Sequence, residues 1–327
     1  MQSLFVSFGL IVLFFCGGAK AENNEAAHYD AEGPYAVTRE ELTVPSPNGA
    51  FTTTAFIPKD PKPHPVVILS SGFMQRGIAY APYAQRLASW GIVALLRDDR
   101  VLAYSRSKAD NRSRPNDVSP TDNPTIAEMA IKSVSDVSYE ISTWLPAANA
   151  DMNSPLYGLV DAARIGLAGH SRGAQIALLA AEDLPGRVKG VFGLDPVDWS
   201  FGSPQAGTKL AEIGIPIAFI GETTDKLSCA PAGVNYEALY NAAASPAVAI
   251  TAINADHTMF QDPAFCLFCS FCTPGTANAS TVFGYSVRYL TAFFARELLG
   301  DTSVGSAFKG AGADADLKAG LIEIASK

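Results

Sequence analysis

Charge is scarce in this chain of 327 residues: 17% of them are charged and 48% are apolar. Intrinsic disorder needs the opposite balance, so it is excluded. The 27 glycines and 21 prolines follow no period and no heptad run is present, which removes collagen-like and coiled-coil readings. Bases do not outnumber acids. With 24 Lys and Arg against 32 Asp and Glu, the net charge of −8 gives no electrostatic reason to bind nucleic acid. No internal repeat is visible. Long apolar runs are missing too, since the longest, Leu4 to Cys16, falls short of the ~20 residues that cross a bilayer. Histidine is scarce as well, with four in the chain, which narrows the choice of a general base at once.

What is present begins with that apolar run. It is followed by Gly17-Gly18-Ala19-Lys20-Ala21, and an apolar core ending in Ala-x-Ala reads as a secretory signal peptide cleaved after Ala21. Lipid attachment at Cys16 is the alternative. The mature chain keeps Cys229, Cys266, Cys269 and Cys272. Four thiols match a zinc ligand set, but in an oxidising compartment four cysteines more often form two disulfides. Disulfides are therefore expected, with the pairing open. Export is compatible with the periplasm, the medium or an algal plastid route.

Glu40 to Val44 and Phe51 to Ile57 alternate in the β manner around a Pro-Ser-Pro-Asn-Gly turn and predict an opening hairpin. Six nearly continuous apolar runs follow, at Val66 to Leu69, Ile92 to Leu96, Ile165 to Ala168, Val188 to Leu194, Ile215 to Ile220 and Val248 to Ile253. Runs of that kind suit strands buried on both faces of a parallel sheet. Helical patterns lie between or after them, at Tyr80 to Trp90, Ile126 to Leu145, Gly173 to Glu182, Tyr236 to Ala243 and Val282 to Leu299. The prediction is an α/β fold with a mostly parallel central sheet, flanking helices and an antiparallel hairpin at its start. The domain limits are residues 1–21 for the leader, 22–300 for a single domain and 301–327 for a polar C-terminal tail. Tyr104 to Asn123 is polar, basic and without period, and reads as a solvated excursion or a lid.

Gly169-His170-Ser171-Arg172-Gly173 satisfies Gly-x-Ser-x-Gly and sits between a predicted strand and a predicted helix, as a nucleophile elbow requires. Ser171 is the candidate nucleophile, and a serine needs a base to take its proton. His28 and His64 lie in polar or Pro-rich lead-ins, and His170 is expected to point away from the site. His257, just after the last apolar strand, is left as the base. The acid that holds its tautomer follows one of two strand ends, at Asp195 or Asp225. Spacing alone slightly favours Asp225. The oxyanion hole needs two backbone N–H groups. One is assigned to Arg172, the other to Phe73, with Met74 the next choice. This chemistry needs no metal and no cofactor.

Several stretches together resemble the chlorophyllase family. Gly-His-Ser-Arg-Gly is similar to its elbow, and Gly193-Leu194-Asp195-Pro196-Val197-Asp198 to its Gly-Leu/Ile-Asp-Pro-Val segment. Cys229-Ala230-Pro231-Ala232-Gly233-Val234-Asn235-Tyr236-Glu237 resembles Cys-Ala-Pro-x-Gly-Val-Asn-His-Glu, and Asp256-His257-Thr258-Met259 resembles Gly-His-x-Asp-Met. Ser71-Gly72-Phe73 is comparable to His-Gly-Phe. The resemblance spans roughly Pro65 to Leu299. It implies an α/β-hydrolase that cleaves the phytyl ester of chlorophyll to chlorophyllide and phytol. It also implies Asp195 as the acid, reversing the order from spacing. Asp256 and Trp199 stand where the family has glycine, and Asp225 adds a carboxylate that the plant pattern lacks.

The expected activity is thus a serine carboxylesterase acting on chlorophyll or a related hydrophobic ester. Phe73, Met74, Trp199, Phe201, Met259 and Phe260 are the candidates for lining the substrate groove, and peripheral contact with a membrane is expected where the substrate resides there. A general exported esterase of the cutinase kind is the alternative. A binding protein on a dead hydrolase fold would lack a triad member, and none is missing here.

Overall fold

The computed structural model describes residues 24–112, 124–199, 202, 204–264 and 269–327. The predicted leader, Phe201, Cys266 and the stretch 113–123 lie outside the described residues, as do the side chains of 107–112 and Cys269.

Strands β1 (Val37–Val44) and β2 (Phe51–Pro58) form the predicted hairpin, paired from Val37↔Pro58 to Val44↔Phe51. Then follow β3 (His64–Ser70), α1 (Ala81–Ser89), β4 (Val93–Arg97), α2 (Arg100–Arg112), α3 (Ile126–Tyr139) and α4 (Leu145–Ala150). The second half contains β5 (Val160–His170), α5 (Arg172–Asp183), β6 (Val188–Leu194), β7 (Ile217–Glu222), α6 (Tyr236–Ala242) and β8 (Ala247–Ala252). It closes with α7 (Ala279–Phe294), α8 (Asp314–Lys318) and β9 (Ile322–Ser326). One sheet holds the strands in the order β1-β2-β4-β3-β5-β6-β7-β8-β9. Strands β3 to β8 run parallel, while β1, β2 and β9 join antiparallel at the edges.

The apolar runs are continuous because both faces of the sheet are covered. Side chains alternate along each strand, so Val66 and Ile68 of β3 pack with Val93, Leu95 and Leu167 beneath α3 and α5. Val67 and Leu69 point the other way, toward Tyr83 and Leu87 of α1 and Leu290 and Phe294 of α7. At ~25 cal/mol per Å² of apolar surface, two such layers supply the main drive for folding.

Two expectations are corrected. Residues 301–327 are not a loose polar tail: β9 pairs with β8 from Val248↔Ser326 to Ala252↔Ile322, and Val304, Ala307 and Phe308 are fully buried. Their apolar residues are spread thinly among glycines and serines, so no period betrays them. An added strand also covers the edge that β8 would otherwise expose. The start of the Tyr104 to Asn123 stretch is helical as far as Arg112. Its Arg, Leu, Ala and Lys content favours helix without an apolar stripe, and Asp99 accepts the Val101 N–H at 3.1 Å to cap its first turn.

Candidate active site

β5 ends at His170 and α5 begins at Arg172, leaving Ser171 alone in the turn with φ 54° and ψ −125°. That left-handed backbone is strained for a residue with a side chain, and it lifts the hydroxyl clear of the sheet. The flanking glycines allow it. A Cβ on Gly169 would lie 2.2 Å from the carbonyl carbon of Gly173, and one on Gly173 would lie 2.1 Å from the Ser70 carbonyl oxygen.

The Ser171 hydroxyl is 2.9 Å from His257 Nε2, and His257 Nδ1 is 2.5 Å from Asp195 Oδ2. A carboxylate only accepts, so Nδ1 carries the proton and Nε2 is left to accept from the serine. Asp195 directly follows β6 with φ 36° and is fully buried. His257 opens a short 3-10 turn after β8, anchored by Asp256, which accepts Thr258 N–H at 2.9 Å and Gly275 N–H at 2.7 Å. Asp225 makes a different contact. Its carboxylate accepts from Ser228 Oγ and does not hydrogen-bond the imidazole. Of the two candidate acids, Asp195 is therefore the one on Nδ1.

Charge around the imidazole is strongly negative. Burial pushes His257 down, but the hydrogen bond to Asp195 and the charges of Asp195, Asp225 and Glu222 outweigh it, and the net shift is upward. Burial raises the Asp195 carboxyl, against the pull of His257. Glu222, at the end of β7, was not among the sequence candidates. It is buried and pushed up to about 7, first by burial and then by Asp195, while its carboxylate accepts the N–H groups of Thr224 and Asp225. Its signal was an acid at a strand end, in Gly221-Glu222-Thr223.

His170 does more than pack. Its Nε2 lies 3.0 Å from the His257 carbonyl oxygen, so Nε2 donates and Nδ1 accepts from Tyr80 Oη at 2.8 Å. Tyr80 Oη in turn accepts Gly72 N–H at 3.2 Å. The chain of bonds joins the loop after β3, the elbow and the base. Burial holds His170 well below the usual imidazole range and therefore neutral.

A cavity of about 380 Å³ opens over Ser171 and His257, walled by Phe73, Val197, Trp199, Phe271 and the Cys229–Cys272 disulfide. That disulfide is one of the two expected, and its sulfurs are no longer thiolates that could hold zinc. Phe73 and Trp199 line the cavity. Met259 and Phe260 do not. They are 6% and 0% exposed and belong to the core under α1 and α7, with the Phe260 carbonyl accepting from Tyr83. In a turn that aims His257 at the serine, the next apolar side chains fall on the core side. Met74 is corrected twice. It does not border the cavity, and its N–H donates to Asp99 Oδ2 at 3.1 Å, so it has no proton left for an oxyanion.

A mostly parallel sheet with a serine on a strand–helix elbow, a histidine after the last parallel strand and an acid between them in sequence defines an α/β-hydrolase. The model of the Chlorophyllase family matches residues 124–302, more than half of the chain, and the chain belongs to that family. No curated protein matches the sequence. Among the described residues no helix is long and apolar enough to cross a membrane, and the disulfide fits an oxidising compartment.

Proposed function

We propose that the protein is a serine carboxylesterase that hydrolyses the phytyl ester of chlorophyll to chlorophyllide and phytol. The observation that carries this reading is the Ser171–His257–Asp195 relay at the floor of an apolar cavity, in a chain of the chlorophyllase family. His257 takes the Ser171 proton as Oγ attacks the ester carbonyl. N–H groups of Arg172 and Phe73 receive the oxyanion, Arg172 standing at the first position of α5, where a backbone N–H has no acceptor within the helix. The C–O bond to phytol then breaks, and His257 returns the proton to the departing alkoxide. Water repeats these steps on the acyl-enzyme and frees the carboxylic acid.

The mouth of the cavity supports an apolar substrate. Phe271 and Trp199 of the cavity wall are 75% and 44% exposed, and Leu227, 93% exposed, directly precedes the wall residue Ser228, so three loops carry exposed apolar side chains at or beside the cavity. The disulfide next to Leu227 and Phe271 ties two of those loops together. An apolar chain longer than the cavity would lie along this rim, and the rim would contact a membrane that holds the pigment. Export through the leader at residues 1–21 belongs to the same reading. The size of the cavity favours a second one, a general exported carboxylesterase for smaller esters.

Purified protein is tested on chlorophyll a and on p-nitrophenyl butyrate, each with Ser171→Ala alongside. Chlorophyllide release that vanishes in Ser171→Ala is expected. Turnover of the small ester alone would favour the general esterase, and an active Ser171→Ala would overturn both.

A further inference from the structure

An oxyanion site made of Arg172 N–H and Phe73 N–H draws its donors from two separate segments, the start of α5 and the loop after β3. Catalysis depends on their separation, and one buried carboxylate grips both. Asp99 follows β4 and is 4% exposed. Its Oδ2 accepts Met74 N–H at 3.1 Å, and its own N–H donates to the Gln75 carbonyl at 3.0 Å, so it holds the loop at two points. Its Oδ1 lies 3.2 Å from Arg172 Nη2. The Arg172 guanidinium in turn lies 5.4 Å from the centre of the Phe73 ring. Nε, Nη1 and Nη2 of Arg172 are all buried with no hydrogen-bond partner, so the carboxylate beside them is what offsets the charge. The gripped loop is itself strained, with Met74 at φ 57°, a conformation that persists only where surrounding contacts impose it.

We propose that Asp99 is a positioning residue for ester hydrolysis, fixing the two oxyanion donors through the Arg172 side chain and the 72–75 loop. The proposal rests on the esterase reading above. Asp99 touches no reacting atom. With its charge gone, the guanidinium has a buried cation's reason to move, and it carries both the Phe73 ring and the residue that supplies the second donor. Loss of one well-placed oxyanion donor lowers kcat by about 10²–10³.

Asp99→Asn keeps an acceptor for Met74 N–H and removes the charge. Asp99→Asn/Arg172→Met removes both charges and guards against a single variant that fails to fold around an unpaired cation. Each is assayed on p-nitrophenyl butyrate for kcat and KM, and titrated with an alkyl trifluoromethyl ketone, whose adduct on Ser171 places a tetrahedral oxygen on the two donors. The expected result is a kcat lower by ~10² with KM little changed, and a ketone Ki raised by a similar factor. A purely structural Asp99 would lower the amount of folded enzyme and leave the ketone Ki of the folded fraction unmoved. Folded variants with kcat near the wild-type value, or with lowered kcat but undiminished ketone affinity, would overturn the proposal. Wild-type protein that neither hydrolyses the ester nor binds the ketone would instead sink the esterase reading, and the proposal with it.

Discussion

Replacing Asp195 and Asp225 separately by asparagine is the sharpest test of the relay, because the two acids follow adjacent strands and only one touches the base. Asp195 Oδ2 accepts from His257 Nδ1 at 2.5 Å and keeps the ring in the tautomer whose Nε2 accepts from Ser171. Asparagine keeps the shape of the residue, but its amide can turn an N–H toward Nδ1. The imidazole proton then moves to Nε2, which faces the serine as a donor and takes no proton from it. Asparagine also removes the charge that stabilises imidazolium during attack. The comparable change in serine hydrolases lowers kcat by about 10⁴, or ~5.5 kcal/mol of barrier at 1.36 kcal/mol per tenfold. Asp225 bonds Ser228 rather than the ring, so Asp225→Asn removes only its through-space charge, and a loss of less than about tenfold is expected. Initial rates on p-nitrophenyl butyrate at fixed pH, with thermal melting as a control on folding, measure both. A folded Asp195→Asn retaining more than about a tenth of the wild-type kcat, or an Asp225→Asn matching its loss, would refute the assignment.

Other consequences follow from the same geometry. His257 must be neutral to accept the serine proton and its pKa lies above the ordinary 6.5, so kcat/KM falls as pH drops, with a midpoint above 6.5. Asp225→Asn should move that midpoint down, and a pH–rate profile with its acid limb below 6.5 in the wild type would contradict the electrostatics. The Cys229–Cys272 bridge closes a loop with a sequence separation of 43, for which chain entropy gives ~4 kcal/mol of stabilisation. Cys229→Ser/Cys272→Ser should lose up to that amount in urea unfolding and bind long-chain esters less well, since the bridge walls the cavity. Phe308→Ala should cost about 3–5 kcal/mol in the same experiment because the ring is fully buried, whereas a loosely packed tail would tolerate the change.

The elbow was legible because its determinants are local. An apolar strand, two glycines around a serine and a helix former specify the turn within about ten residues, whatever surrounds it. The same holds for the hairpin of β1 and β2, whose alternation and turn residues lie side by side. His257 was legible by elimination, there being so few histidines. The rim was partly legible: an exposed Trp199 beside the elbow's neighbour strand was found, while Leu227 and Phe271 carry no pattern that separates them from core residues.

What the chain alone left open depends on orientation and distance between segments far apart in sequence. Asp195 and Asp225 each follow one of two neighbouring strands, β6 and β7, and spacing alone does not choose between them. The turn of Asp195 at φ 36° aims its carboxylate at His257, while Asp225 turns to Ser228. Met259 and Phe260 are apolar in a way that suits a groove or a core equally, and the course of the His257 turn puts them in the core. Asp99 and Glu222 are single acids at strand ends. Their weight comes from burial beside Arg172 and Asp195, which lie dozens of residues or more away in the chain. Local sequence fixes backbone shape over a few residues because sterics and hydrogen bonding act at that range. The electrostatic surroundings of a side chain are a sum over everything packed against it, and here only the folded sheet brings those groups together.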